Sequence, residues 1–261
     1  MSIELSGAGV VITGGGAGIG AALARRFAAE GARIVVADLD GTAAAAVAEE
    51  VGGVAVAGDA AGEDGVRRLV ARSREVLGAI DLFCANAGVA TRGGPEAPDE
   101  DWANAWEVNV MAHVRAAREL LPEWLERGSG HFLATVSAAG LLTSLGSAPY
   151  SVTKHGALAF AEWLSATYRH RGVTVQAVCP QGVRTKMLAD SGQGGQLIMG
   201  RSAIEPEEVA DTVLEALRDG RFLILPHPEV AEYYGNRATQ TDRWLGGMNK
   251  LQRKVESVLG D

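Results

Sequence analysis

A tyrosine and a lysine lie four residues apart in the stretch PYSVTKHG, which runs from residue 149 to residue 156. On a helix this spacing places Tyr150 and Lys154 on one face, about one turn apart. A lysine ammonium beside a phenol favours the phenolate, because an opposite charge stabilises the charged form of a titratable group. The pair therefore suits proton transfer, although any amphipathic helix can show the same spacing.

A glycine-rich turn, TGGGAGIG, occupies residues 13–20. Glycines at positions 14, 18 and 20 permit a tight turn and let the backbone approach a phosphate closely. A helix that begins at Ile19 would add free N–H groups and a partial positive charge at the same point. Because such turns are common in α/β proteins, the motif gains weight only from the strand before it and the helix after it.

An acid, Asp38, ends the next apolar run in the stretch VVADLD. A carboxylate at this point can accept a hydrogen bond from a ribose 2′-hydroxyl and would repel a 2′-phosphate. No basic residue stands beside the loop glycines, since Ala17 precedes Gly18 and Leu39 follows Asp38. The pattern favours NAD over NADP. The alternative is that Asp38 is a solvated acid of a loop and contacts no cofactor.

Short apolar runs alternate with helical patterns along the chain. Strands are predicted at 9–13, 33–38, 54–58, 80–85, 131–137, 173–179 and 221–225. Helices are predicted at 19–30 and 41–51, from the third strand to about residue 77, within 99–127 and at 149–171. The strands are nearly continuous in apolar residues, as expected for a parallel sheet covered by helices on both faces. The alternation predicts a Rossmann-type, doubly wound α/β fold of about seven strands in a single domain over residues 1–261.

Two segments fall outside this rhythm. Residues 186–204 are rich in glycine and polar residues around an apolar knot, Leu197-Ile198-Met199, and are predicted to close over a substrate as a lid. Residues 228–261 form a tail with several aromatic residues, which could cap the pocket or reach a neighbouring subunit.

Composition narrows the class of partner. The chain has 261 residues, 47% of them apolar, and a net charge of −8 without a basic tract, which argues against nucleic acid. Its two cysteines, Cys84 and Cys179, form neither a disulfide framework nor a metal-ligand pattern, so no metal is expected. The sequence shows no signal-peptide pattern and no apolar run long enough for a bilayer, and a cytoplasmic protein without membrane contact is expected.

Several motifs now coincide in order and position. They are the glycine turn from Thr13 to Gly20, NAG at 86–88, Asn109, Ser137, Tyr150-x-x-x-Lys154 and CPQGVRT at 179–185. Together they resemble the short-chain dehydrogenase/reductase family in its compact single-domain branch. The resemblance covers the chain up to its last predicted strand, and the set is far more specific than any one member.

The resemblance implies a role for each matching side chain. Tyr150 would be the general acid/base, Ser137 would hold the substrate oxygen, and Lys154 would bind the nicotinamide ribose and lower the pKa of the tyrosine. A free tyrosine has a pKa of about 10, and moving it to about 7 requires roughly 4 kcal/mol in favour of the phenolate. Asn109 would link the lysine to a chain of water molecules.

The resemblance also implies the positions that meet the cofactor. Asp59 would contact adenine, Asn86 and Gly88 would line the cofactor, and Val183 and Thr185 would meet the nicotinamide carboxamide. The full expected set is Gly14, Gly18, Ile19, Gly20, Asp38, Asp59, Asn86, Gly88, Lys154, Val183 and Thr185. The chain departs from the family at Gln181, where a glycine usually follows the proline, which puts the local backbone there in question.

The substrate is inferred from apolar flanks. The stretch AAGLLTSLG between Ser137 and Tyr150 is small and apolar, and Ala90, Met187, Leu188 and the Leu197–Met199 knot could add apolar walls. A hydrophobic secondary alcohol or ketone fits better than a sugar or an acid, although these residues could equally be core packing. The resemblance implies a homotetramer or homodimer.

Three other functions stay open at this point. An NADP-dependent biosynthetic ketoreductase is disfavoured by Asp38. A sugar-nucleotide epimerase or dehydratase would need a larger C-terminal substrate domain. A non-catalytic NAD-binding sensor is disfavoured because Ser137, Tyr150 and Lys154 occur together.

Overall fold

Residues 2–259 are described by a computed structural model, and in this range seven strands form one parallel sheet. The strands are β1 (Gly9–Thr13), β2 (Arg33–Asp38), β3 (Val54–Ala57), β4 (Leu82–Ala85), β5 (Gly130–Thr135), β6 (Val173–Val178) and β7 (Leu223–Ile224). Their order in the sheet is β3-β2-β1-β4-β5-β6-β7. The predicted doubly wound α/β fold is confirmed.

Helices follow the strands along the chain. They are α1 (Gly18–Ala29), α2 (Gly41–Glu50), α3 (Glu63–Leu77), α4 (Asp99–Trp106), α5 (Ala112–Arg127), α6 (Ala148–Tyr168), α7 (Lys186–Ala189), α8 (Gly192–Met199), α9 (Pro206–Asp219), α10 (Glu229–Thr239) and α11 (Thr241–Leu259). Between residues 2 and 259, none of them has both the length and the hydropathy that a bilayer span requires.

Neighbouring residues of one strand pack into two different cores. In β1, Val11 packs with α3, α5 and α6 on one face, whereas Val10 and Ile12 pack with α1, α2 and α9 on the other. Successive side chains of a strand point to opposite faces. The continuous apolar runs therefore arise because helices cover both faces of the sheet.

The single helix predicted within 99–127 is interrupted. One turn of π-helix, Glu107–Met111, lies between α4 and α5 and contains Asn109. Such turns recur at functional sites, because the extra residue redirects a side chain. The strands are also shorter than predicted at several ends. β3 stops at Ala57, β5 stops two residues before Ser137, and β7 has two residues because only those pair with β6.

The two segments outside the α/β rhythm are helical. The predicted lid contains α7, α8 and a short 3₁₀ turn at Gly200–Ser202. The predicted tail forms α10 and α11, and α11 packs against α8. Residues 260–261 of that tail, like Met1, lie outside the described residues.

Candidate active site

The carboxyl ends of β1 and β4 border a crevice, because the chain leaves these adjacent strands toward opposite sides of the sheet. Thr13 at the end of β1 ties the two loops together. Its Oγ1 accepts the backbone N–H groups of Asn86 and Ala87, each at 3.0 Å. The Asn86 side-chain amide donates in return to the Thr13 carbonyl oxygen at 3.0 Å. The crevice floor is thus a fixed turn of backbone.

The glycine loop packs tightly on this turn. A Cβ on Gly14 would lie 2.9 Å from the Cα of Ala87, so a side chain there has no room. Gly18 begins α1 with a φ of +52°, in the left-handed region that favours glycine. Ile19 is partly buried against the core. The first turn of α1 has N–H groups without intrahelical acceptors, as an anion such as a pyrophosphate requires.

The Asp38 carboxylate braces the glycine loop. One oxygen accepts the Gly16 N–H at 2.9 Å and the other accepts the Asp40 N–H at 3.0 Å. Each carboxylate oxygen can accept a further hydrogen bond, so the group retains capacity for a ribose hydroxyl. Leu39 beside it is 77% exposed, so no cation at that position faces the loop.

Asp59 lies in the turn before α3 rather than at the end of a strand. Its carboxylate accepts the backbone N–H groups of Ala61 at 2.8 Å and Gly62 at 3.0 Å. The side chain therefore shapes the start of α3, and its expected contact with adenine stays a prediction.

Asn109 joins the loop after β4 to α6. Its Oδ1 accepts the Val89 N–H at 3.0 Å, and its Nδ2 donates to the Val89 carbonyl oxygen and to Thr153 Oγ1, each at 3.0 Å. A Cβ on Gly88 would lie 3.1 Å from Asn109 Oδ1 and 3.3 Å from Lys154 Nζ, so the Gly88 backbone lies between the two side chains. Both amide N–H groups and one lone pair of Oδ1 hold protein groups, and Oδ1 can accept one further hydrogen bond.

Ser137, Tyr150 and Lys154 lie together beyond the carboxyl end of β5. The Ser137 Oγ accepts the Ala139 N–H at 3.1 Å and lies 3.5 Å from the Pro180 carbonyl oxygen. The same hydroxyl is close enough to the Tyr150 phenol to act on its pKa. Lys154 Nζ lies 5.6 Å from the centroid of the Tyr150 ring and donates to the Thr135 carbonyl oxygen at 3.0 Å. The structure therefore brings the three predicted side chains into one cluster.

The electrostatics of this cluster differ from the expectation for the tyrosine. Burial raises the pKa of Tyr150 in the protein alone, and the nearby Ser137 hydroxyl opposes that rise. Burial lowers the pKa of Lys154 to about 8. Desolvation disfavours the charged form of both groups. The protein alone thus does not bring the tyrosine pKa toward neutrality.

The loop between β6 and α7 crosses from this cluster to the glycine loop. Val183 is buried and pairs with Ile204. Thr185 Cγ2 lies 3.0 Å from the position that a Cβ on Gly18 would take, so this loop contacts the start of α1. The two predicted nicotinamide residues therefore lie between the glycine loop and the cluster that contains Tyr150.

Two threonines of the site were not singled out from the sequence. Thr135 Oγ1 donates to Asn86 Oδ1 at 3.0 Å, and Thr153 Oγ1 accepts from Asn109. Their only sequence signal is position, since Thr135 ends β5 and Thr153 precedes the lysine. They fix the two amides that frame the cleft.

The predicted apolar walls of the lid are only partly buried. Met187 is 41% exposed and Leu197 is 38% exposed. A cavity of about 550 Å³ lies between the lid and α1 and is bordered by Gly18, Thr185 and Leu188. It reaches none of the Ser137, Tyr150 or Lys154 side chains, so it adjoins the start of α1 rather than this cluster.

Comparison with known proteins gives matches to dehydrogenases, both by family model and by sequence identity. The family model for short chain dehydrogenases matches residues 8–195. A 1-deoxy-11-beta-hydroxypentalenate dehydrogenase of Streptomyces exfoliatus is 38% identical over 232 residues, which cover 84% of this chain and 82% of the relative.

Two solved structures share the fold. A short chain dehydrogenase/reductase from Burkholderia phymatum in complex with NAD has a TM-score of 0.85 and 28% identity, covering 92% of this chain and 96% of that chain. A variant of the actinorhodin polyketide ketoreductase with NADPH has a TM-score of 0.78 and 27% identity, covering 86% and 97%.

Proposed function

Because the chain belongs to the short-chain dehydrogenase family, we propose that it is an NAD-dependent oxidoreductase acting on a hydrophobic secondary alcohol or ketone. The observation that carries this proposal is the cluster of Ser137, Tyr150 and Lys154 beside the crevice at the ends of β1 and β4. A non-catalytic sensor would need the crevice but not this cluster.

Each side chain of the cluster has a task in alcohol oxidation. Ser137 donates a hydrogen bond to the substrate oxygen, which stabilises negative charge as the hydroxyl proton leaves. Tyr150, as phenolate, accepts that proton, and Lys154 stabilises the phenolate by its charge. A nicotinamide ring, when bound, takes up or supplies the hydride. In the reducing direction, Tyr150 returns the proton to the carbonyl oxygen.

Protonation of the tyrosine must be coupled to cofactor binding. Burial raises the Tyr150 pKa in the protein alone, so the lysine charge needs reinforcement to reach neutrality. A cationic nicotinamide beside the phenol adds positive charge of the required sign. We therefore expect the tyrosine to act as a base only after NAD has bound.

The choice of NAD rests on Asp38 and Leu39. The structural neighbours include both an NAD complex and an NADPH complex, so the fold alone leaves the choice open. A carboxylate at position 38 repels a 2′-phosphate, and position 39 offers it no cation. These two residues support NAD.

The substrate class rests on apolar surroundings and on one relative. Ala138, Ala139 and Leu141 follow Ser137 within four residues and are buried, so the segment that carries the serine is apolar. The Streptomyces exfoliatus relative is named for a hydroxylated compound, hydroxypentalenate. The first feature supports apolar surroundings for the substrate, and the name of the relative supports a substrate that carries a hydroxyl group.

Assembly as a homotetramer or homodimer is part of the proposal. Val152 and Trp163 lie on α6 at helical spacing and are 49% and 55% exposed, and Trp106 at the end of α4 is 43% exposed. These side chains support burial of α6 and α4 against a second copy of the chain.

Cofactor binding and turnover test the proposal together. Isothermal titration should give tighter binding of NADH than of NADPH by about tenfold or more, the scale of one repulsive charge contact. A panel of apolar secondary alcohols with NAD should yield at least one that forms NADH, followed by absorbance. Tighter binding of NADPH would contradict the cofactor assignment, and binding without turnover across the panel would favour the sensor.

A further inference from the structure

The β6–α7 loop, residues 180–185, joins the proton-transfer cluster to the start of α1. Its Pro180 carbonyl oxygen accepts the Ala138 N–H at 2.8 Å and faces the Ser137 hydroxyl. Its other end, Thr185, contacts Gly18. A dinucleotide that extends from the N-terminus of α1 to Tyr150 must therefore lie along this loop.

One buried imidazole fastens this loop from behind. The Gln181 backbone N–H lies 3.1 Å from His227 Nδ1, and His227 Nε2 lies 3.1 Å from the Ser202 carbonyl oxygen. A backbone N–H can only donate and a carbonyl can only accept, so Nδ1 carries no proton and Nε2 carries one. A single neutral tautomer of His227, which is 3% exposed, satisfies both partners.

The chain around His227 limits its freedom to move. Pro226 and Pro228 flank the histidine, and each proline fixes its own φ and restricts the residue before it. Val230 in the first turn of α10 is fully buried, which anchors the next helix. The imidazole is therefore presented on a stiff connection between β7 and α10.

Gln181 makes a second contact with the same helix. Its side-chain amide donates to Glu229 Oε1 at 2.9 Å, in the first turn of α10. The glycine at the next position is required for a different reason, since a Cβ on Gly182 would lie 2.7 Å from the Met199 carbonyl oxygen. The order glutamine-glycine thus lets the loop meet α10 through one residue and the end of α8 through the other.

We propose that His227 is a positioning residue that holds the β6–α7 loop against the nicotinamide end of the cofactor, with Gln181 and Glu229 as reinforcement. The inference rests on the proposed function, because it takes Val183 and Thr185 as the residues that meet nicotinamide. The C-terminal segment then contributes to cofactor affinity through the loop, without touching the cofactor. Loss of the His227 contacts should weaken binding of the nicotinamide half of the cofactor and leave binding of the adenosine half unchanged.

Isothermal titration of the full chain with NADH and with ADP-ribose, which lacks the nicotinamide, separates the two halves. His227→Leu should raise the Kd for NADH by about tenfold, as expected for the loss of one or two hydrogen bonds, and leave the Kd for ADP-ribose within about twofold. His227→Gln should restore NADH binding to within about threefold of wild type, because an amide can accept from Gln181 and donate to Ser202. His170→Leu, at an exposed histidine, is the matched control and should change neither Kd.

Equal weakening of both ligands in His227→Leu, or no weakening of NADH, would overturn the inference. If His227→Leu does not fold, the same two titrations on Glu229→Ala test the inference. A rise of about threefold in the Kd for NADH alone supports the inference, and an unchanged Kd overturns it. A wild-type chain that binds neither ligand would contradict the proposed function, and the inference with it.

Discussion

The Lys154 ammonium lies 5.6 Å from the centroid of the Tyr150 ring and is 3% exposed. Its hydrogen bond to the Thr135 carbonyl oxygen, at 3.0 Å, is its one contact with a protein acceptor among residues 2–259. Across that range, no carboxylate lies within salt-bridge distance of it. A buried cation with so little compensation is costly to the fold, and it lies at the point where the proposed mechanism needs a phenolate to be stabilised.

Replacing this lysine should therefore raise stability and remove activity. We expect Lys154→Met to raise the free energy of unfolding at pH 7 by about 1–3 kcal/mol, since burial lowers the lysine pKa to about 8 in the folded protein. Between pH 8 and about 10.5, the unfolded wild-type chain binds more protons than the folded chain, so wild-type stability rises with pH. The difference in the free energy of unfolding between variant and wild type therefore becomes smaller in this pH range. Thermal unfolding at pH 7 and pH 9.5 measures both effects.

Lys250→Met, at an exposed lysine of α11, is the matched control and should show neither effect. A Lys154→Met variant that melts below wild type at pH 7, with no dependence on pH, would show that the ammonium is well compensated.

A buried, neutral imidazole should govern acid sensitivity. His113 is 1% exposed, and neither ring nitrogen has a hydrogen-bond partner within the part of the chain that the structure describes. Burial lowers the pKa of His113 to about 3. The unfolded chain takes up this proton below about pH 6.5 and the folded chain does not, so stability is lost as pH falls. His113→Phe, which keeps an aromatic ring against Phe132, should move the acid-unfolding midpoint to lower pH.

Circular dichroism during acid titration measures that midpoint, with His170→Phe as the exposed control. The burial of His131, which lowers its pKa to about 4, keeps part of the acid sensitivity in both variants. An unchanged midpoint in His113→Phe would mean that the imidazole is protonated at no cost in the folded state.

Cofactor preference should respond to the carboxylate at the end of β2. Asp38→Asn with Leu39→Arg removes the repulsive charge, supplies a cation and keeps a side-chain oxygen for the Gly16 N–H. We expect the ratio of kcat/KM for NADP to that for NAD to rise by about 100-fold, the scale of a strong charge contact. Steady-state kinetics with both cofactors measure the ratio. Leu39→Arg alone should give a smaller rise, and an unchanged ratio in the double variant would contradict the assignment of Asp38.

The sheet could be predicted because its strands are buried on both faces. A run such as Gly9–Thr13 is apolar at every position, and that signal does not depend on distant contacts. The cluster of Ser137, Tyr150 and Lys154 could be predicted because each residue follows a strand end or has helical spacing. The family resemblance then supplied the roles, which no spacing alone carries.

Other features depend on contacts between distant residues. The π-turn at Asn109 goes with hydrogen bonds to Val89 and Thr153, which no local pattern reveals. The direction of the Tyr150 pKa shift depends on burial, which the sequence does not display. The role of Gln181 depends on His227, 46 residues later, so its departure from the family pattern could be noticed but not explained.

Turnover by Tyr150→Phe tests the central claim most directly. On an alcohol that the wild type oxidises, with NADH formation followed by absorbance, the variant should lose about 100-fold to 10,000-fold in kcat, the usual contribution of general acid/base catalysis. The Kd for NADH, from titration of the same preparation, should stay within about twofold of wild type, because the substitution removes one hydroxyl. Turnover at the wild-type rate in a variant that binds NADH normally would show that another group moves the proton.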